Sequence, residues 1–181
     1  MWSHTIAILI GGQSSRMGMP KHEVVLPNGQ TMLDMMISFA EKSASRVVVV
    51  GGQIDEFESI QDKRHKDGPV AGIEALLASN RDQEYLVVGC DMPQLRTADV
   101  QPLLACEGNA VFSYENQILG LPLKITKKML STCTTYLDSQ KRSISGFVSI
   151  CPHTCIPVNS SQLKTITSVN TRQEVSELFD N

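Results

Sequence analysis

Four valines in a row, Val47 to Val50, closed by Gly51-Gly52, constrain the fold of this chain more than any other stretch. An apolar, β-branched run without alternation is a strand buried on both faces. Both faces of its sheet must then be covered, and helices are what cover a parallel sheet. The chain supplies such helices in turn. Thr5 to Gly11 reads as the first strand and Glu23 to Leu26 as a short extended segment. Leu33, Met36, Ile37 and Ala40 recur at helical spacing, which predicts a helix over 31–42. Residues 53–66 are polar and read as a surface loop with one helical turn at most. Val70, Ile73, Leu76 and Leu77 mark the next helix, Tyr85 to Gly89 a strand, and 97–105 a helix.

The C-terminal half continues the alternation. Strands are expected at 110–114 and 118–123, around Glu115-Asn116. A helix is expected at 126–137, and a short one carries Ile144, Phe147, Val148 and Cys151. A last strand, 165–169, precedes a helix opened by the capping box Thr171-Arg172-Gln173-Glu174. The expectation is one α/β domain over residues 1–181, a three-layer α/β/α sandwich with a mostly parallel sheet.

A formal net charge of −3 argues against a nucleic-acid partner, which wants a basic face. No run approaches the ~20 apolar residues of a membrane helix. Met1-Trp2-Ser3-His4-Thr5 has no basic leader and flows into a strand, so a cytoplasmic protein is expected. Five cysteines, an odd number, argue against a disulfide framework. Cys90, Cys106 and Cys133 read as reduced thiols in apolar patterns, and Cys151-Pro152-His153-Thr154-Cys155 as strand-edge residues rather than a zinc clip.

In a sheet of this kind ligands bind outside the carboxyl ends of the strands. The first strand ends there in Leu9-Ile10-Gly11-Gly12-Gln13-Ser14-Ser15-Arg16-Met17-Gly18-Met19-Pro20-Lys21. Paired glycines let the backbone turn sharply and approach a ligand, and a concave run of N–H groups cradles an anion. Arg16 adds a planar fork of donors and Lys21 a mobile point charge. A Walker loop, G-x-x-x-x-G-K-S/T, is excluded because Met19 follows Gly18 and Lys21 comes too late. The dinucleotide fingerprint is excluded because Gly11 and Gly12 are adjacent. The stretch reads as a triphosphate-binding loop.

Two further motifs follow strand ends. In Val87-Val88-Gly89-Cys90-Asp91-Met92-Pro93 a carboxylate stands directly after a buried strand, stiffened by proline. Such a carboxylate suits Mg²⁺, which takes one or two carboxylates plus waters and substrate phosphates. In Asp67-Gly68-Pro69-Val70-Ala71-Gly72 a turn opens a helix, and Asp67 can accept hydrogen bonds from a base or ribose; an ordinary Asx turn would use the same residues.

The spacing L-x-G-G-x-S-x-R-M-G-x-x-K, together with Cys90-Asp91-Met92-Pro93 and the glycine turn after Asp67, resembles the molybdenum cofactor guanylyltransferases, a MobA-like group of NTP transferases. The resemblance implies a Rossmann-like nucleotidyltransferase fold and transfer of GMP from GTP to a molybdopterin-type cofactor, with release of pyrophosphate. It implies Arg16, Lys21 and Asp91 as catalytic residues and Asp91 as the Mg²⁺ ligand. Leu9, Gly11, Gly12, Ser14, Ser15, Lys21, Asp67 and Asn170 would bind the nucleotide. Transient contacts with cofactor-loading proteins and apo-molybdoenzymes follow from the same likeness.

Several positions depart from the family. Its N-x-N-T-P turn reads Ser168-Val169-Asn170-Thr171-Arg172 here, Val70 replaces a leucine, Ile10 replaces the usual alanine, and Gly51-Gly52-Gln53 stands where the family often places a base-contacting asparagine. Leu119-Gly120-Leu121-Pro122-Leu123 with Lys124, Lys127 and Lys128 resembles the acceptor side, to which Lys141-Arg142-Ser143 adds charge; solvated lysines at helix ends would look the same. The Gly11-Gly12 pair favours guanine over the alanine-glycine of related cytidylyltransferases. The alternatives are a cytidylyl or sugar-nucleotide transferase and a non-catalytic nucleotide- or cofactor-binding protein.

Overall fold

Seven strands form one sheet among the described residues, in the order β3-β2-β1-β4-β6-β5-β7. The structure, a computed structural model, describes residues 2–10, 19–64 and 67–177. The strands are β1 (Trp2–Leu9), β2 (Ala44–Val50), β3 (Ser59–Ile60), β4 (Glu84–Gly89), β5 (Ala110–Tyr114), β6 (Gln117–Thr126) and β7 (Thr154–Pro157). All run parallel except β6, which is antiparallel to both β4 and β5. The helices are α1 (Met32–Ser43), α2 (Pro69–Ala78), α3 (Thr97–Ala105), α4 (Leu130–Asp138), α5 (Ile144–Ser149), α6 (Ser160–Ile166) and α7 (Arg172–Glu177).

The valine run explains the layering. Val48 and Val50 point to one face with Ala7, Leu9 and Val87, where α2, α4 and α5 cover them. Val49 points to the other with Ile6, Ile8, Leu86 and Val88, under α1, α3 and α6. The expected three layers and mostly parallel sheet are therefore present. Alternate side chains serve opposite cores, so no polar position is tolerated within the run. No helix among the described residues is long and apolar enough to cross a membrane.

Four local expectations need correction. Residues 165–169 form no strand. Asn159 caps a helix instead, with its side chain accepting from the Ser161 and Gln162 amides, and that helix ends at Ile166. The polar stretch 53–66 contains β3, whose two residues pair with Val49 and Val50 and close the sheet edge. Residues 23–26 are not extended throughout. A 3₁₀ turn covers Lys21–Glu23, and Val25 makes a single bridge to Thr31. Finally, β6 runs on to Thr126 because Ile125 is core and pairs with Tyr85, so α4 starts only at Leu130.

The reversed direction of β6 relocates the lysines of the proposed acceptor side. Glu84 at the start of β4 pairs with Thr126 at the end of β6. Lys124 and Lys127 therefore lie toward the amino edge of the parallel strands. Lys124 is buried, its ammonium bonded to Glu84 (3.1 Å) and to the Cys106 carbonyl (2.6 Å), and Lys127 binds Asn80. Both are structural ties there, and Lys128, the next residue, is exposed beside them.

Candidate active site

The chain leaves β1 toward β2 and β3 on one side and returns to β4 on the other. That reversal opens a crevice outside the carboxyl ends of β1 and β4, the place where open α/β sheets bind ligands. The strand ends are level there. The Ile10 amide donates to the Val50 carbonyl (2.9 Å) and the Cys90 amide to the Leu9 carbonyl (3.0 Å).

Three segments deliver one polar side chain each to this crevice. Lys21 opens the 3₁₀ turn after the glycine loop, Asp91 follows β4, and Asn170 precedes α7. The Lys21 ammonium donates to Asp91 Oδ2 at 2.6 Å and to Asn170 Oδ1 at 2.7 Å. The segments are tied by backbone as well, since the Val169 amide donates to the Asp91 carbonyl at 2.7 Å. Apolar neighbours hold the arrangement. Val24 and Leu26 beside Lys21, Val169 beside Asn170, and Val175 of α7 form a separate buried cluster with Met32. The side chains of Lys21 and Asp91 are 24% and 15% exposed, so both are partly desolvated yet reachable from solvent.

The Asn170 side chain uses the backbone of Ser168, one of the positions that depart from the family pattern. The side-chain amide donates to the Ser168 carbonyl (3.2 Å), a backbone group that any residue supplies. The capping box is formed: Thr171 Oγ1 accepts from the Glu174 amide, and Glu174 accepts from the amides of Asn170 and Thr171.

Residues 6–149 match the family model described as a MobA-like NTP transferase domain. The chain belongs to this family. A molybdenum cofactor guanylyltransferase of Xanthomonas euvesicatoria is 29% identical over 97% of this chain and 94% of its own. Among solved structures, a molybdopterin-guanine dinucleotide biosynthesis protein A from Archaeoglobus fulgidus superposes with a TM-score of 0.79, 20% identity and 96% coverage of both chains. A Mycobacterium tuberculosis protein crystallised in complex with manganese superposes with a TM-score of 0.66, 16% identity and 98% coverage of both. The two likenesses identify the fold as that of these proteins.

In this MobA-like domain the remaining expected site residues fall as follows. Gly11, Gly12, Ser14, Ser15 and Arg16 lie outside the described residues. Leu9 is 6% exposed, its side chain belongs to the core, and its carbonyl accepts from the Cys90 amide. Asp67 precedes Gly68, whose φ of +74° suits glycine alone, and Pro69 starts α2. The first turns of α2 lie against the ends of β1 and β2, because a Cβ on Gly72 would touch Val50 and Leu9 side chains at 3.1 and 3.3 Å. Asp67 accepts from Arg142 Nη2 at 3.2 Å, while Arg142 Nη1 donates to the Leu137 carbonyl at 2.9 Å. Gln53 is exposed just past β2. Ile10 packs over Gly52, where an added Cβ would meet Ile10 Cδ1 at 2.8 Å, so the larger residue at position 10 fills the space that glycine leaves at 52.

Gly89, the last residue of β4, shapes the position of the Asp91 carboxylate. A Cβ at Gly89 would fall inside the closest approach to Asp91 Oδ1. The absence of a side chain lets the carboxylate fold back over the strand end with Oδ2 facing Lys21. The sequence signal was a glycine two residues before the acid in an otherwise β-branched strand.

The start of β6 overhangs the carboxyl edge, since its register with β4 ends at Val87↔Leu123. Leu119, Gly120 and Leu121 there line a cavity of about 240 Å³ with Ile144, Ile166 and Ser168. The cavity thus reaches to within two residues of Asn170.

Two hard oxygens, Asp91 Oδ2 and Asn170 Oδ1, already gather around one positive charge. That donor chemistry fits Mg²⁺ or Mn²⁺, which complete their shells with waters and phosphates. No group of three His, Cys, Asp or Glu among the described residues could hold a metal alone.

Cys90, adjacent to Asp91, is no nucleophile. Burial, reinforced by the Asp91 charge, pushes its thiol up to about 12. Burial likewise raises Cys133 to about 12 and Cys151 to about 11, whereas Cys155 is exposed on β7. At about pH 8 a disulfide reagent should therefore label Cys155 first and Cys106 more slowly, sparing Cys90, Cys133 and Cys151 until the chain unfolds. Peptide mass mapping checks this, and early labelling of Cys90 would contradict the packing around Asp91.

Proposed function

We propose that this chain transfers GMP from GTP to the terminal phosphate of a molybdopterin-type cofactor and releases pyrophosphate. The observation that carries the reading is the meeting of Lys21, Asp91 and Asn170 at the crevice between β1 and β4. The Xanthomonas relative is named for this activity, and the Archaeoglobus neighbour for the same biosynthesis.

In the reaction, an oxygen of the acceptor's phosphate attacks the α-phosphorus of GTP. The bond from that phosphorus to the bridging oxygen breaks, and pyrophosphate leaves with its electron pair. The acceptor is its own nucleophile, so the site needs no activated serine or cysteine. Bound Mg²⁺ would supply Lewis-acid charge to the phosphates, held by Asp91 and Asn170. Lys21 donates to phosphate oxygens through a mobile ammonium, and Arg16 with the amides of Gly11 to Ser15 is proposed to cradle the rest of the triphosphate. Asp67 is proposed to accept from the base or ribose, at the end of α2 that abuts the β1 and β2 termini. The cavity lined by Leu119 to Leu121 and Ser168 is proposed to take the pterin side of the acceptor. Positioning and preorganised charge then do the catalytic work.

Five free cysteines suit a reducing compartment such as the cytoplasm. Cofactor-loading proteins and apo-molybdoenzymes are the proposed transient partners.

The test is pyrophosphate release with molybdopterin-type acceptor, divalent metal and GTP, CTP or ATP in turn. GTP should be used at least about 10²-fold better than CTP, since a site built to hydrogen-bond one base rejects another strongly. Preference for CTP would make the chain a cytidylyltransferase. GTP binding without turnover in the presence of acceptor would make it a binding protein.

A further inference from the structure

We propose that the Lys21 ammonium is the resident counter-ion of the divalent-metal site, displaced when the nucleotide's phosphates draw it off Asp91 and Asn170. The inference rests on the transferase reading for the identity of the nucleotide, but not for its geometry.

Lys21 Nζ stands 2.6 Å from Asp91 Oδ2 and 2.7 Å from Asn170 Oδ1. Those are the two hard oxygens that a small divalent cation would use, and the ammonium already fills the space between them. A metal bound to both would need M–O distances of about 2.0–2.1 Å and would sit on top of the ammonium. Two positive charges so placed repel strongly in a partly desolvated site.

The obvious escape is for the metal to use the other carboxylate oxygen and leave Lys21 in place. The position of that oxygen at the strand end does not favour this route, since it faces away from the Asn170 oxygen that the metal would share. Asp91 Oδ1 is tucked over Gly89, close enough that a Cβ there could not coexist with it. Oδ2 is the oxygen that faces Asn170 across the ammonium, and it is the one Lys21 holds. Asn170 offers no alternative either, because its amide nitrogen is committed to the Ser168 carbonyl, which fixes Oδ1 toward Lys21.

Lys21 is suited to leave. It is the first residue of a 3₁₀ turn, its side chain is 24% exposed, and a four-carbon stem lets the ammonium swing without backbone movement. Its new partners would be phosphate oxygens entering beside the glycine loop. Without nucleotide, the ammonium satisfies a partly buried carboxylate and keeps the metal out. With nucleotide, the same charge neutralises phosphate and vacates the two oxygens. Metal and triphosphate thus load together, and free metal alone binds poorly.

Mn²⁺ titration of the full chain, followed by the electron paramagnetic resonance of free Mn²⁺, tests this without acceptor or turnover. In the absence of nucleotide, Lys21→Met should bind Mn²⁺ at least tenfold more tightly than wild type. Lys21→Arg keeps the competing charge and should stay near wild type. Asp91→Asn placed in the Lys21→Met chain should abolish the gain. Adding GTP should raise the Mn²⁺ affinity of wild type more than that of Lys21→Met. Lys21→Gln replaces Lys21→Met if thermal unfolding shows the latter misfolded. Unchanged or weaker Mn²⁺ binding in a folded, charge-free variant overturns the proposal, as does a gain that survives Asp91→Asn. Failure of the transferase reading would appear instead as absence of pyrophosphate release with every nucleotide, which leaves these titrations unaffected.

Discussion

Replacing Asp91 by alanine is expected to lower metal-dependent pyrophosphate release from GTP by about 10²- to 10³-fold, the usual consequence of removing one preorganised charge from a reacting centre. The chain should remain folded. What docks residues 168–171 onto the end of β4 is the backbone carbonyl of residue 91, which alanine retains. The lost ion pair is partly solvated, and such pairs contribute little to stability, about 1 kcal/mol or less. Steady-state turnover with a coupled pyrophosphate assay, alongside urea unfolding, separates the two effects. Turnover near wild type in a folded Asp91→Ala chain would remove Asp91 from the reaction.

The second large effect is expected at a residue that touches no substrate. Gly89→Ala should cut turnover by about tenfold to 10²-fold, the scale on which an ångström of misplacement is felt. An added methyl would meet Asp91 Oδ1 inside its closest approach, while its other neighbours, Asp91 Cγ and Met92 Cγ, lie at a comfortable 3.6 Å. The carboxylate is the end of a short side chain and yields by rotating, which carries Oδ2 away from Lys21 and Asn170. Backbone strain plays no part, because Gly89 lies within a regular strand paired to Leu9. Stability should therefore change by less than about 1 kcal/mol, as for substitutions that open no cavity and bury no unpaired group. A Gly89→Ala chain with normal Mn²⁺ affinity and normal turnover would show that the carboxylate can be re-aimed without consequence. A loss of activity that tracks a collapse in unfolding temperature would mean that packing, rather than aim, was damaged.

These two residues illustrate how far the sequence could be read. Asp91 stood out because a carboxylate directly after a buried strand, stiffened by Pro93, suits a divalent metal, and because Cys90-Asp91-Met92-Pro93 resembles the family's turn. Lys21 was legible from its place after the glycine loop. Their direct contact was not, since the residues lie 70 positions apart and nothing local reports which strands are neighbours. Gly89 had no visible role because its importance is a shape, the space that a missing side chain leaves for Asp91. The lysines at 124 and 127 were misplaced for a related reason. The residues of β6 show a clear strand pattern, but pattern does not encode direction, and the antiparallel turn of that strand sends its end to the far edge. Residues 165–169 were misread because Ile166 and Val169 fit either period, and the cap at Asn159 settled the matter in favour of a helix upstream.

By itself the sequence determined the layered α/β architecture, since four consecutive valines can be buried on both sides only between two helical layers. It also determined which chemical groups stand at strand ends, since glycine, acid and lysine there are set by the linear order of residues. The tertiary structure alone decided that β1 and β4 are neighbours, that Asn170 returns from the far end of the chain to share one ammonium with Asp91, and that Oδ2 rather than Oδ1 faces it. Contacts of that kind follow from which faces pack and which way a strand runs, and these are properties of the whole core rather than of any local run of residues.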